Sequence, residues 1–133
     1  MHTNLEFNRS ETRSIAIDAP PETVHRFIAD ATNIPRWAPA FATAIRPGNT
    51  HWVATTDSGE AEIIVASNPD SGTLDIVSAA DRTRGAFARV ISNGPGSEVL
   101  FTLFFEPGTP EQAVTAQMTV VDDELATIKQ LTQ

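Results

Sequence analysis

The chain contains no cysteine and no tyrosine. The first absence excludes disulfides, thiolate nucleophiles and thiolate metal sites, and it fits a reducing compartment. The second removes the phenol that often serves as a proton donor in cavity enzymes. Cations are scarce as well: 9 Lys and Arg stand against 17 Asp and Glu, for a net charge of -8. Phosphate backbones and anionic lipid surfaces repel such a chain, which argues against a nucleic-acid partner. No apolar run is long enough to cross a bilayer, so no membrane insertion is expected. The opening Met1-His-Thr-Asn-Leu-Glu-Phe-Asn8 has no signal-peptide character, which makes a cytoplasmic location the expectation. What remains is 133 residues with 41% hydrophobic and 20% charged content, ordinary for one globular domain.

Residues 1–8 are expected to fray, and the alternation from Arg13 to Asp18 predicts a first strand. Pro21 then stands where a helix best tolerates proline, with Glu22 at the positive end of the helix dipole. Val24, Phe27 and Ile28 define one apolar face, with His25 flanking it as a partly exposed polar residue. Pro35 and Pro39 confine Arg36-Trp37 to a short helical turn. From Phe41 to Glu106 the punctuation changes. Turn signals at Pro47-Gly48, Asp57-Ser58-Gly59, Asn68 to Gly72, Ala80-Asp81 and Asn93 to Gly96 separate six short strands, an antiparallel meander.

A two-residue turn at Ser58-Gly59 would pair Trp52 with Val65 and Val53 with Ile64. Trp52, Ala54, Ala61, Ile63 and Val65 would then share the buried face. In the last hairpin, Ala86, Ala88 and Val90 would oppose Leu103, Phe101 and Val99, small against large. Thr109-Pro110-Glu111-Gln112 reads as a capping box that starts a helix of about 22 residues, about 33 Å long. Its Val114, Met118, Val121, Leu125 and Ile128 fall within an arc of roughly 80°.

The segment Ile15 to Trp37, followed by the meander and the long last helix, resembles the START-like superfamily, which includes polyketide-cyclase-like and birch-pollen-allergen-like proteins. The resemblance covers essentially the whole chain. It implies an α+β helix-grip fold, with a curved antiparallel sheet of six to seven strands wrapped around a long C-terminal helix and two short helices after the first strand. It also implies an apolar cavity between sheet and helix. Left empty, a cavity of ~300 Å³ would cost on the order of 7 kcal/mol at ~24 cal/mol per Å³, comparable to the whole stability of a domain. Such a space is therefore collapsed, wet or occupied.

Trp37, Phe41, Trp52, Ile63, Val65, Phe101, Met118, Val121 and Leu125 are the candidate lining, although each also fits an ordinary core. The facing argument turns Arg89 outward, opposite Leu100. A register slip of one would turn it into the cavity, where it would hold a carboxylate or phosphate head group. The same argument leaves Phe87, Leu100 and Phe104 outside, a surface suited to a homodimer. His2, His25 and His51 lack partners for catalysis or metal binding, and His51 lies roughly 25 Å from Glu60 along the hairpin. Gly94 to Glu98 is a hairpin turn and not a nucleophile elbow. Asp122-Asp123-Glu124 spreads around its helix as a solvated face. No catalytic constellation, metal site or cofactor is expected. The resemblance implies a binding or carrier domain for a small apolar or amphipathic ligand, lipid-, polyketide- or terpenoid-like. The alternatives are a cyclase-, aromatase- or dehydratase-type enzyme using the same cavity, and a homodimeric interaction module.

Overall fold

The computed structural model describes residues 6–133; the expected frayed tail lies partly, and His2 wholly, outside the described residues. The elements run β1 (Arg9–Ile17), α1 (Pro21–Ala29), a 3₁₀ turn (Ala31–Asn33), α2 (Ile34–Trp37), β2 (Ala44–Pro47) and β3 (Trp52–Thr56). They continue with β4 (Gly59–Asn68), β5 (Thr73–Ser78), β6 (Gly85–Asn93), β7 (Gly96–Phe105) and α3 (Glu111–Thr132). All seven strands join one curved antiparallel sheet in the order β1-β7-β6-β5-β4-β3-β2. The first strand therefore pairs with the last at one edge of the sheet. β1 is longer than its alternation predicts because it pairs with β7 along its whole length, from Arg9 opposite Phe105 to Ile17 opposite Ser97.

The last hairpin has the expected register, with Ala88 opposite Phe101 and Val90 opposite Val99. The β3–β4 hairpin does not. Trp52 faces Ile63 and Val53 faces Glu62, because the two turn residues are Asp57 and Ser58. Gly59 adopts φ 110°, a conformation open to glycine at little cost, and the Thr56 hydroxyl closes the turn by donating to the Gly59 carbonyl at 2.7 Å. The shift is two residues, so every side chain keeps its face.

α3 carries its stripe inward as expected: Val114, Met118, Val121, Leu125 and Ile128 are all buried. They meet Leu74, Val90, Val99 and Phe101 of the sheet and Val24, Ile28 and Ile34 of the first helices. Each such side chain contributes roughly 1.5–3 kcal/mol by leaving water. The capping box does not form. Pro110 occupies the N-cap position without a side-chain bond, Thr109 Oγ1 turns back to the Glu106 carbonyl, and Glu111 pairs with Arg9 instead.

The helical wheel explains how α3 is seated. Taking Val114 as zero, Glu111, Asp122 and Lys129 lie about 60–80° to one side at 100° per residue. That flank binds β1: Glu111 to Arg9, Asp122 to Arg13 at 3.5 Å, and Lys129 Nζ to the Ala16 carbonyl at 3.0 Å. The Asp18 N–H adds a bond to α3's end, donating to the Gln133 side-chain oxygen at 3.0 Å. Drawn towards the β1 edge, α3 leaves its opposite flank facing the middle of the sheet.

His25 is buried, not partly exposed; its Nε2 lies 3.0 Å from the Thr73 carbonyl. Phe27 is half-buried beneath the Arg36 guanidinium, 5.3 Å from its ring centre.

Candidate functional site

A cleft of about 470 Å³ opens where α3 stands away from the sheet. Its walls are Ile34, Trp37, Ala38 and Phe41 around α2, Ile63 of β4, Ile76 and Ser78 of β5, Ala86 of β6, and Leu103 and Phe105 of β7. Gln117 and Glu124 of α3 close the other side, and Glu62 and Arg84 join the lining. The alternation of the strands determines these faces: Ile63 pairs with Ser78 and Ile76 with Ala86, all directed inward. The volume lies within the ~300–1,000 Å³ usual for ligand pockets.

Of the expected lining, Trp37, Phe41 and Ile63 reach this cleft. Phe101, Met118, Val121 and Leu125 are fully packed beside it, 0–2% exposed, in the part of the interior that has collapsed. Trp37 bridges the two regions, with its ring edge-to-face with Phe101 at 5.7 Å. Trp52 and Val65 share the inner face but lie half-buried outside the cleft wall. Arg89 is no part of the cavity. It projects from the outer face opposite Leu100 and Thr73, exposed, with Nε 3.4 Å from the Ser71 carbonyl. Phe87, Leu100 and Phe104 also occupy the outer face; Phe87 and Phe104 pack edge-to-face at 5.7 Å, and Phe104 is 48% exposed.

The sequence reading missed the polar part of the cleft. Glu124 belongs to no solvated face. It and Gln117 lie about 60–80° from Val114, just beyond the Ile128 edge of the apolar stripe. That seven-residue spacing beside an apolar stripe was the available signal. Burial, with a smaller contribution from the neighbouring Asp123 charge, pushes the Glu124 carboxyl up to about 7. No hydrogen bond or ion pair engages its side chain among the described residues. The second polar group is the Trp37 indole N–H, which is buried and has no hydrogen-bond partner among the described residues. Leaving such a donor unsatisfied costs about 1–3 kcal/mol.

A wider groove of about 820 Å³ runs between α1 and the β4–β5 turn, lined by Glu22, His25, Arg26, Asp30 and Asp70 among others. Its polar groups are mostly exposed, and His25 is already engaged with Thr73. It offers little enclosure for an apolar body.

A sheet that grips one long helix and leaves a partly apolar cleft between them defines a helix-grip fold. Residues 9–131 match the family described as polyketide cyclase/dehydrase and lipid transport, and the chain belongs to that family. No curated protein sequence matches the chain. Among solved structures, the Aha1 dimer from Colwellia psychrerythraea is similar at 14% identity and a TM-score of 0.71, over 93% of this chain and 96% of that one. Ara h 8.0201 is similar at 14% identity and a TM-score of 0.64, covering 95% and 98%. The di-domain ARO/CYC BexL from the BE-7585A biosynthetic pathway is similar at 18% identity and a TM-score of 0.68, over 92% of this chain and 45% of BexL. At these identities the likeness is one of fold.

Proposed function

We propose that this protein binds a small amphipathic molecule in the cleft between α3 and the sheet, as a binding or carrier domain. The observation that carries this reading is the cleft itself: about 470 Å³, walled by Ile63, Ile76, Leu103 and Phe105, with Glu124 and Gln117 along one side. The apolar walls suit the body of a lipid-, polyketide- or terpenoid-like ligand, and the α3 side suits a polar end. The family's description, which includes lipid transport, supports the same class of ligand. Native and denaturing mass spectrometry of gently purified protein test it. A discrete small mass released on unfolding is the expected result. A ligand-free spectrum, together with no uptake of medium-chain apolar compounds added in excess, would overturn the reading.

A second reading, a cyclase- or dehydratase-type enzyme, is favoured by one observation. A carboxyl poised at about 7 inside a cleft can exchange protons at physiological pH. Release of a chemically altered product after incubation with a bound ligand would support it, and release of that ligand unchanged would count against it.

A further inference from the structure

We propose that the cleft selects a neutral, oxygen-bearing ligand such as a ketone or ester, whose acceptor oxygen is held by the carboxyl of Glu124 acting as a donor, with the Trp37 indole N–H as second donor. The inference rests on the ligand-binding reading above and specifies the chemistry of the polar end.

Both groups line one cleft, and both lack partners among the described residues. They set a shared requirement. An indole N–H only donates, and a carboxyl in its acid form has a proton to donate, so each is satisfied by an acceptor oxygen. An ammonium group would engage an ionised Glu124 but leave the indole facing another donor. A carboxylate ligand would meet Glu124, whose neighbour Asp123 adds to the negative field, in a chain of net charge -8. The one cation in the wall, Arg84, is exposed and makes no ion pair with Glu124. The indole nitrogen is itself buried, so the ligand reaches it only after a side-chain movement. Phe41, 39% exposed in the same wall, has room for one.

The carboxyl is pushed up to about 7, by burial first and Asp123 second, so its acid form is well populated at neutral pH. α2 places no charged group in the lining, since Arg36 stacks on Phe27. β5, β6 and β7 contribute only uncharged residues, among them Ile76, Ser78, Gly85 and Leu103. Among the described residues the other charged groups of the lining are Glu62 on β4 and Arg84 before β6, and no histidine lines it; Asp123 adjoins Glu124 on α3.

Calorimetric titration of the full chain with 2-octanone, octanoate and octylamine at pH 6 and pH 8 tests the proposal. The expected result is that 2-octanone binds, roughly tenfold more weakly at pH 8 than at pH 6, as the donor proton is lost at one decade per pH unit only above about 7. Glu124→Gln, whose amide still donates, should bind 2-octanone with a flat pH profile. Trp37→Phe should weaken binding about fivefold, the value of one hydrogen bond, with thermal melts confirming that both variants fold. Octylamine binding more tightly than 2-octanone at pH 8 would overturn the proposal and make Glu124 a counter-ion. Equal binding of octanoate and 2-octanone, unchanged in Glu124→Gln, would overturn it and leave the ligand-binding reading standing. If none of the three binds, both readings fall.

Discussion

A carboxyl that lines a cleft walled by Ile63, Ile76 and Leu103 loses much of its hydration, and Glu124 is accordingly harder to ionise in the folded protein than in the unfolded chain. The sign of the consequence follows from linkage. Below the ordinary value of 4.5 the group is protonated in both states and has no effect. As pH rises from 4.5 towards about 7 only the unfolded chain ionises, so folding stability falls, and the loss is complete above about 7. Converted at 1.36 kcal/mol per pH unit, that loss is roughly 3 kcal/mol. Glu124→Gln should therefore stabilise the ligand-free protein by roughly 2–3 kcal/mol at pH 8 and by very little at pH 4, as read from urea unfolding at the two values. A variant no more stable than the parent at pH 8 would show that the carboxyl is solvated after all. Ser97 illustrates the opposite case, a buried polar group that is satisfied. Its hydroxyl donates to the Ala19 carbonyl at 2.5 Å, and Ser97→Ala should cost about 1–2 kcal/mol. At this scale the sequence was legible for apolar residues and poorly so for polar ones. Phe101 or Leu125 is buried wherever its element packs. Glu124 needed knowledge of how α3 is rotated, and His25 of the Thr73 carbonyl that receives it.

The elements themselves were read closely, because their signals are local. Pro21 opens α1, the turn residues divide the meander, and the stripe from Val114 to Ile128 marks α3. The errors fall where local signals competed. Asp57-Ser58 prevailed over Ser58-Gly59 because Gly59 can take φ 110° and Thr56 can close the turn. The capping box lost Glu111 to Arg9, an ion pair formed with a residue far away in sequence. Gly85, the first residue of β6, makes a testable case at this scale. It adopts φ 146°, and an added Cβ would lie 2.1 Å from the Ile76 carbonyl oxygen in the neighbouring strand. Gly85→Ala should destabilise by at least about 1–3 kcal/mol from backbone strain alone. Because Gly85 also lines the cleft, the same change should weaken ligand binding. Thermal melts and calorimetry read the two effects separately, and an unchanged melting temperature would count against the strained geometry.

Across the whole molecule, α3 is tied along β1 by one flank and exposes the other to a gap over β4 to β7. A gap of this kind leaves its walls without packing partners until something enters. Ligand occupancy should therefore raise the melting temperature in a concentration-dependent way. At one hundred times the dissociation constant the gain is about 2.7 kcal/mol, from mass action alone, which corresponds to several degrees for a chain of this size. A melting temperature unmoved by a saturating ligand would place that ligand outside the folded cleft.

Composition and periodicity determined the element order and the inward faces, because each depends on neighbours three to ten residues apart; the α+β helix-grip architecture followed from the resemblance of that order to the START-like superfamily. The facing argument also placed Ile63 on the buried face and turned Arg89 outward. Tertiary structure alone decided which part of the interior collapsed onto Phe101 and Met118 and which part stayed open beside Trp37 and Phe41. It also decided that Glu124 would border the open part. Those outcomes turn on how far α3 is drawn towards β1 and how it is rotated. Contacts between residues a hundred positions apart, Arg9 with Glu111 and Lys129 with Ala16, set both, and no local pattern encodes them.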